Sequence, residues 1–149
     1  MVADPDAVLL LDTSAAVALV VEDHEAHAAT LEAVRDHRLG LAGHAWFETY
    51  SVLTRLPGGR RRSPADVAAL LAHDFPATEF LAAEAAGGLG LELARLGISG
   101  GAVYDALVGA TARQHGRSLV SGDARARPVY EALGVRVQLV ARGLGPAVA

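Results

Sequence analysis

Four apolar runs punctuate the chain, and each ends in a polar turn. "AVLLLD" (Ala7 to Asp12) is continuously apolar up to its terminal acid, the pattern of a strand buried on both faces of a parallel sheet. "SLVSGD" repeats it near residue 120, "VRVQLV" follows at 135 to 140, and a shorter run lies near Leu39 to Gly43. "ATEFLAAE" alternates well enough to predict one more strand.

Between these runs the spacing is helical. Asp12-Thr13-Ser14 supplies capping side chains for "SAAVALVVE", so an acid and a helix start coincide. Further helices are predicted over Glu25 to His37, with Ala28, Leu31, Ala33 and Val34 inward, and over Ala45 to Leu56, stopped by Pro57-Gly58-Gly59. Ser63-Pro64 opens another to about His73. Ala83 to Leu96 is helical by spacing despite Gly87, Gly88 and Gly90. Ala102 to His115 ends at Gly116, and a short helix spans Pro128 to Leu133. Alternating strands and helices predict one α/β domain over residues 1–149 with a parallel sheet covered on both faces.

Composition narrows the picture. The chain has 149 residues and no cysteine, which excludes disulfides, thiolate zinc sites and a cysteine nucleophile. Ala7 to Val21 carries one charge, but a spanning helix needs about 20 apolar residues and tolerates a central Asp poorly. Its flank holds Asp4 and Asp6 and no Arg, the wrong sign for a signal peptide, so the expectation is a soluble, cytoplasmic protein without membrane contact. The net charge is −4, and all 13 basic residues are Arg. Four clustered acids would account for that whole charge, so it does not decide between nucleic acid and other partners.

Four of the 17 acids occupy apolar surroundings. Asp12 and Asp123 follow apolar strands and so belong at strand carboxyl ends, where doubly wound sheets bind ligands. Glu48 sits in "WFETYSVL" and Asp105 in "GGAVYDALVGAT", each with only uncharged neighbours three and four residues away. Singly, each has an ordinary reading as a cap, a turn residue or the partner of a buried Arg. Jointly they do not, because the apolar segments hold few Arg. Carboxylates about 4 Å apart repel by roughly 4 kcal/mol per pair at an effective dielectric of 20. Hard divalent ions, Mg²⁺ or Mn²⁺, relieve such a cluster, whereas zinc would favour His or Cys. An ion held this way activates water and neutralises a leaving oxygen, which points to phosphodiester hydrolysis.

The segments "LLLDTSA", "FETYSVLTRLP", "VYDALVGATARQHG" and "LVSGDARARPVYEALGVRV", in this order, resemble PIN-domain ribonucleases, and more narrowly the VapC-type toxins of bacterial toxin–antitoxin pairs. The resemblance covers nearly the whole chain. It implies a three-layer α/β/α fold with about five parallel strands in the order 3-2-1-4-5, a metal-dependent endoribonuclease, a cognate VapB-type antitoxin and a homodimer. By position, Asp12, Glu48 and Asp105 match the family's acids most directly, Asp123 matches the fourth, and Ser121 matches the hydroxyl residue beside it. On this basis Asp12 and Asp105 hold the principal ion, Glu48 binds or orients the water, and Asp123 completes the shell or receives a second ion. Products with 5′-phosphate and 3′-hydroxyl ends are implied. Thr13 and Ser14 either hold a water on the metal or cap the helix, and capping is the commoner role. Arg60, Arg61 and Arg62 in a loop, and Arg125 and Arg127 after Asp123, are candidates for RNA phosphates.

Other features carry less. His24 and His27 have helical metal spacing but no strand end to organise them, and Trp46 and Phe47 suit packing better than base stacking. "GGLGLE" follows no strand, so it is a weak dinucleotide motif. A haloacid-dehalogenase phosphatase also begins with Asp after a first strand, but it needs a second Asp where Ser14 stands and a later Lys that this chain lacks. A catalytically silent PIN-like module binding RNA or antitoxin is the alternative that keeps the same fold.

Overall fold

The computed structural model describes residues 7–140. Asp4 and Asp6, like the two ends of the predicted domain, lie outside them. Four parallel strands, β1 (Val8–Leu11), β2 (Arg38–Leu41), β3 (Ser118–Ser121) and β4 (Val137–Leu139), form one sheet in the order β2-β1-β3-β4. Among the described residues seven α-helices surround it: α1 (Thr13–Val20), α2 (His27–Val34), α3 (His44–Thr54), α4 (Pro64–Asp74), α5 (Ala83–Leu96), α6 (Ala102–Gln114) and α7 (Arg127–Ala132).

Alternation along the central strands divides the core in two. Leu9, Leu11 and Val120 pack on one face with residues of α1 to α4, including Ala16, Val34, Leu53 and Leu71. Leu10 and Leu119 pack on the other with α5 to α7, including Leu89, Ala110 and Tyr130. Strands buried on both faces have no solvent side to pattern with polar residues, which is why they read as unbroken apolar runs.

Among the described residues the sheet has four strands rather than five. Residues 77–79 run beside β2, where the outermost strand was expected, but make one isolated bridge between Ala42 and Glu79. Backbone bonds link Ala77 N to Leu39 O and Glu79 N to Leu41 O. The N–H of Leu41 donates to the Thr78 hydroxyl at 3.0 Å, so a side chain stands in for a carbonyl and the ladder is interrupted there. Strand order otherwise follows expectation. α2 is shorter than predicted: residues 22–26 form turns in which His24 Nδ1 accepts the Ala26 N–H, and Ala28 and Leu31 are exposed rather than inward. His27 Nδ1 lies 3.0 Å from the Ala18 carbonyl, a packing role. The glycines 87, 88 and 90 lie inside α5 on open surface, not in a nucleotide loop. Gly116 adopts φ +64° after α6, and the Arg117 N–H returns to Ala112 O at 2.9 Å, closing the helix as its sequence indicates. No helix among the described residues is long and apolar enough to cross a membrane.

Candidate active site

β1 and β3 are hydrogen-bonded neighbours, and their carboxyl ends carry Asp12 and the turn Ser121-Gly122-Asp123. Asp12 follows β1 and is itself the N-cap of α1. Its Oδ1 accepts the Ala15 N–H at 3.0 Å and the Ser14 hydroxyl at 2.6 Å. Of the three residues Asp12-Thr13-Ser14 expected to supply the cap, Asp12 does so, because the helix already begins at Thr13. Ser14 Oγ also accepts the Gly122 N–H at 2.9 Å, and Ser121 Oγ accepts the Asp123 N–H at 3.0 Å. Hydroxyls thus stitch the two strand ends together.

Glu48 on α3 and Asp105 on α6 face the same place. Asp12, Glu48, Asp105 and Asp123 line one cleft of about 250 Å³, with Thr13, Ser14, Val108 and Tyr130. Asp12 is 4% exposed, and burial raises its carboxyl above the ordinary range against the opposing hydrogen bonds from Ser121, Ser14, Ala15 and Tyr130. Asp105 is raised as well, by burial and then by the charges of Asp123, Asp12 and Glu48, with Arg125 opposing. Asp105 thus feels the charges of the other three acids, the signature of like charges gathered in one place.

Neutralising partners are sparse. Glu48 Oε1 lies 3.3 Å from His44 Nε2, and Asp123 Oδ1 lies 3.4 Å from Arg125 Nε on a side chain that is 93% exposed. Among the described residues no Arg or His stands within ion-pair distance of Asp12 or Asp105. All donors lining the cleft are carboxylate, hydroxyl or phenol oxygens, chemistry suited to a hard divalent cation and unsuited to zinc. Among the described residues no group of three or more His, Asp or Glu side chains is arranged to hold a metal ion directly.

The arginines divide. Arg125 borders the cleft through Asp123, whereas Arg127 is paired with Glu131 at 2.6 Å. Arg60, Arg61 and Arg62 line a separate depression with Glu22 and Asp23, and Arg60 is paired with Asp23. Trp46 packs against the core and stacks on Tyr50, while Phe47 is exposed.

Sequence reasoning passed over Tyr130. Its ring is buried on α7 and its hydroxyl donates to Asp12 Oδ2 at 2.9 Å. Burial and the Asp12 charge push the phenol far above its usual range, so it remains a proton donor. One signal was available: a tyrosine in an apolar helix needs a buried partner for its hydroxyl.

An acid-lined cleft at the carboxyl edge of a β2-β1-β3-β4 parallel sheet is the arrangement of a PIN domain, and the PIN-domain family model matches residues 9–132. Ribonuclease VapC27 of Mycobacterium tuberculosis (strain ATCC 25618 / H37Rv) is 46% identical over 133 residues, 89% of this chain and 97% of that protein. Ribonuclease VapC40, from that strain and from strain CDC 1551 / Oshkosh, is 46% identical over 131 residues, 87% of this chain and 96% of that protein. The chain belongs to the VapC family of PIN-domain ribonucleases.

Proposed function

We propose that this protein is the toxin of a VapBC-type pair and cleaves RNA endonucleolytically with Mg²⁺ or Mn²⁺ in the acidic cleft. The observation that carries the reading is the gathering of Asp12, Glu48, Asp105 and Asp123 around one opening, with no ion-paired cation at Asp12 or Asp105 among the described residues. Four like charges at a sheet edge work against folding unless something positive is bound there.

In this reading Asp12 and Asp105 supply the principal ligands, Asp123 acts through water or receives a second ion, and Glu48 orients the attacking water. A bound cation would lower the pKa of water and neutralise charge on the departing oxygen. In-line attack on phosphorus expels the 3′ oxygen and leaves 5′-phosphate and 3′-hydroxyl ends. Arg125, exposed beside Asp123, is placed to meet a phosphate. The partners proposed are RNA, a VapB-type antitoxin and a second copy of the chain. The exposed Phe47 and Phe80 rings, with centroids 6.1 Å apart, are apolar surface that protein partners would cover.

The test is cleavage of total RNA by native protein and by Asp12→Ala. Native protein should cut, stop in EDTA and resume with Mg²⁺, while Asp12→Ala stays inactive. RNA binding without metal-dependent cleavage would instead make the chain a silent binding module.

A further inference from the structure

We infer that Tyr130 is a positioning residue, holding the Asp12 carboxylate in the one orientation that presents it to a cation in the cleft; this rests on the metal-dependent reading above. Two of the hydrogen bonds to the Asp12 side chain fall on the same atom: the Ala15 N–H at 3.0 Å and the Ser14 hydroxyl at 2.6 Å both reach Oδ1. The terminal torsion of Asp is soft and turns both oxygens together, so a contact on Oδ2 adds a second restraint on the plane of the carboxylate. Tyr130 supplies the contact on Oδ2, at 2.9 Å across 118 residues of chain.

The phenol is itself held rigidly. Tyr130 is 1% exposed, and its ring lies against Gly109 of α6, where an added Cβ would come within 3.0 Å of Cδ1. α7 begins soon after the Asp123 turn, so Tyr130 and the last acid of the cleft are close neighbours along the chain. A carboxylate oxygen has two acceptor sites. The single bond from Tyr130 therefore leaves Oδ2 one site to offer a cation. Hydrogen-bond partners of metal-ligating carboxylates act by fixing their direction, and losing one weakens metal affinity or activity by about 10- to 100-fold.

The experiment is a Mn²⁺ titration by calorimetry with native protein and Tyr130→Phe, which keeps the ring and removes the hydroxyl, alongside RNA cleavage at rising Mn²⁺. Near-ultraviolet circular dichroism establishes that the variant is folded. Native protein should bind Mn²⁺. The variant should bind about 10- to 100-fold more weakly and regain most of its cleavage rate at saturating Mn²⁺, a shift in metal requirement that a simple packing role would not cause. If Tyr130→Phe does not fold, Gly109→Ala, which keeps the tyrosine but crowds its ring, should show the same weakened binding. Native binding with affinity in the folded variant unchanged within about twofold would overturn the assignment of Tyr130 alone. Absence of Mn²⁺ binding by native protein would overturn the metal-dependent reading, and the positioning role with it.

Discussion

The Ser14 hydroxyl accepts the Gly122 N–H at 2.9 Å while donating to Asp12 Oδ1 at 2.6 Å. One short side chain thereby ties the turn after β3 to the acid after β1. Ser14→Ala leaves a partly buried N–H without its acceptor and removes one of the donors to Asp12. It should lower metal-free stability by about 1–3 kcal/mol, read as a shifted urea midpoint at unchanged slope. An unchanged midpoint would show that water replaces the bond.

Asp12 and Asp105 should respond differently to neutralisation. Asp105→Asn removes a like charge from a group that has no ion-pair partner among the described residues, so its metal-free melting temperature should equal or exceed the native value. Asp12→Asn also removes charge, but Asp12 accepts bonds on both oxygens, and an amide NH₂ at either one confronts a donor. Its melt should fall below that of Asp105→Asn. Cleavage by either variant should drop by about 10²–10³-fold or more, as when a charge-stabilising group is removed from an active site. Melts in EDTA and a labelled-RNA assay check both halves.

The pH dependence of metal-free stability follows from the same two carboxyls. Both are raised in the fold, chiefly by burial, so the native state holds protons that the unfolded chain has released. Stability then falls as pH rises from the ordinary carboxylate value near 3.8 through the raised values, and recovers on acidification across that window. Glu92 runs the other way: its bond from Arg113 lowers its carboxyl, and that contribution is lost in acid. Replacing both Asp12 and Asp105 by Asn should remove the gain on mild acidification, measured by urea unfolding of metal-stripped protein between neutral and mildly acidic pH.

What was legible in the sequence was what local pattern determines. β1 and β3 announce themselves because two-sided burial requires an unbroken apolar run, and each run ends in the acid that the sheet edge presents. α4 reads directly from Ser63, which accepts the Asp66 N–H at 3.1 Å, and from Pro64 behind it. The failed strand at residues 77–84 shows the limit: alternation was present, but Thr78 bonded the Leu41 N–H with its side chain, an event that no periodicity encodes. Tyr130 was invisible for a related reason. Its meaning lies in a partner 118 residues away, and α7 by itself is an unremarkable short helix. Arg60 looked like a free phosphate ligand until the fold brought Asp23 to it.

Gly40 tests the edge of the sheet. A Cβ there would lie 2.2 Å from the Ala77 carbonyl oxygen and 2.6 Å from the Thr78 nitrogen, both backbone atoms that cannot rotate aside. Gly40→Ala should therefore displace residues 77–79 from β2 and cost at least the ~1–3 kcal/mol typical of overpacking. Faster amide exchange at Glu79, whose N–H reaches Leu41 O at 3.3 Å, is the accompanying local sign.

The two arginine groups separate cleft contacts from distant charge. Arg125 lies beside the acids and its bond to Asp123 is almost fully exposed, so the pair itself adds little stability and the guanidinium is available to a phosphate. Arg61 lines a different depression, with Glu22 and Asp23. RNA affinity should be measured in the inactive Asp105→Asn background, so that cleavage does not consume the ligand, across a series of salt concentrations. Each phosphate contact on a single strand contributes about 0.7 to the slope of log affinity against log salt. Arg125→Ala should reduce the slope by about that amount and weaken binding at every salt concentration, whereas Arg61→Ala should leave the slope unchanged. The reverse pattern would move the RNA path off the Asp123 side of the cleft and onto the loop of residues 58–62.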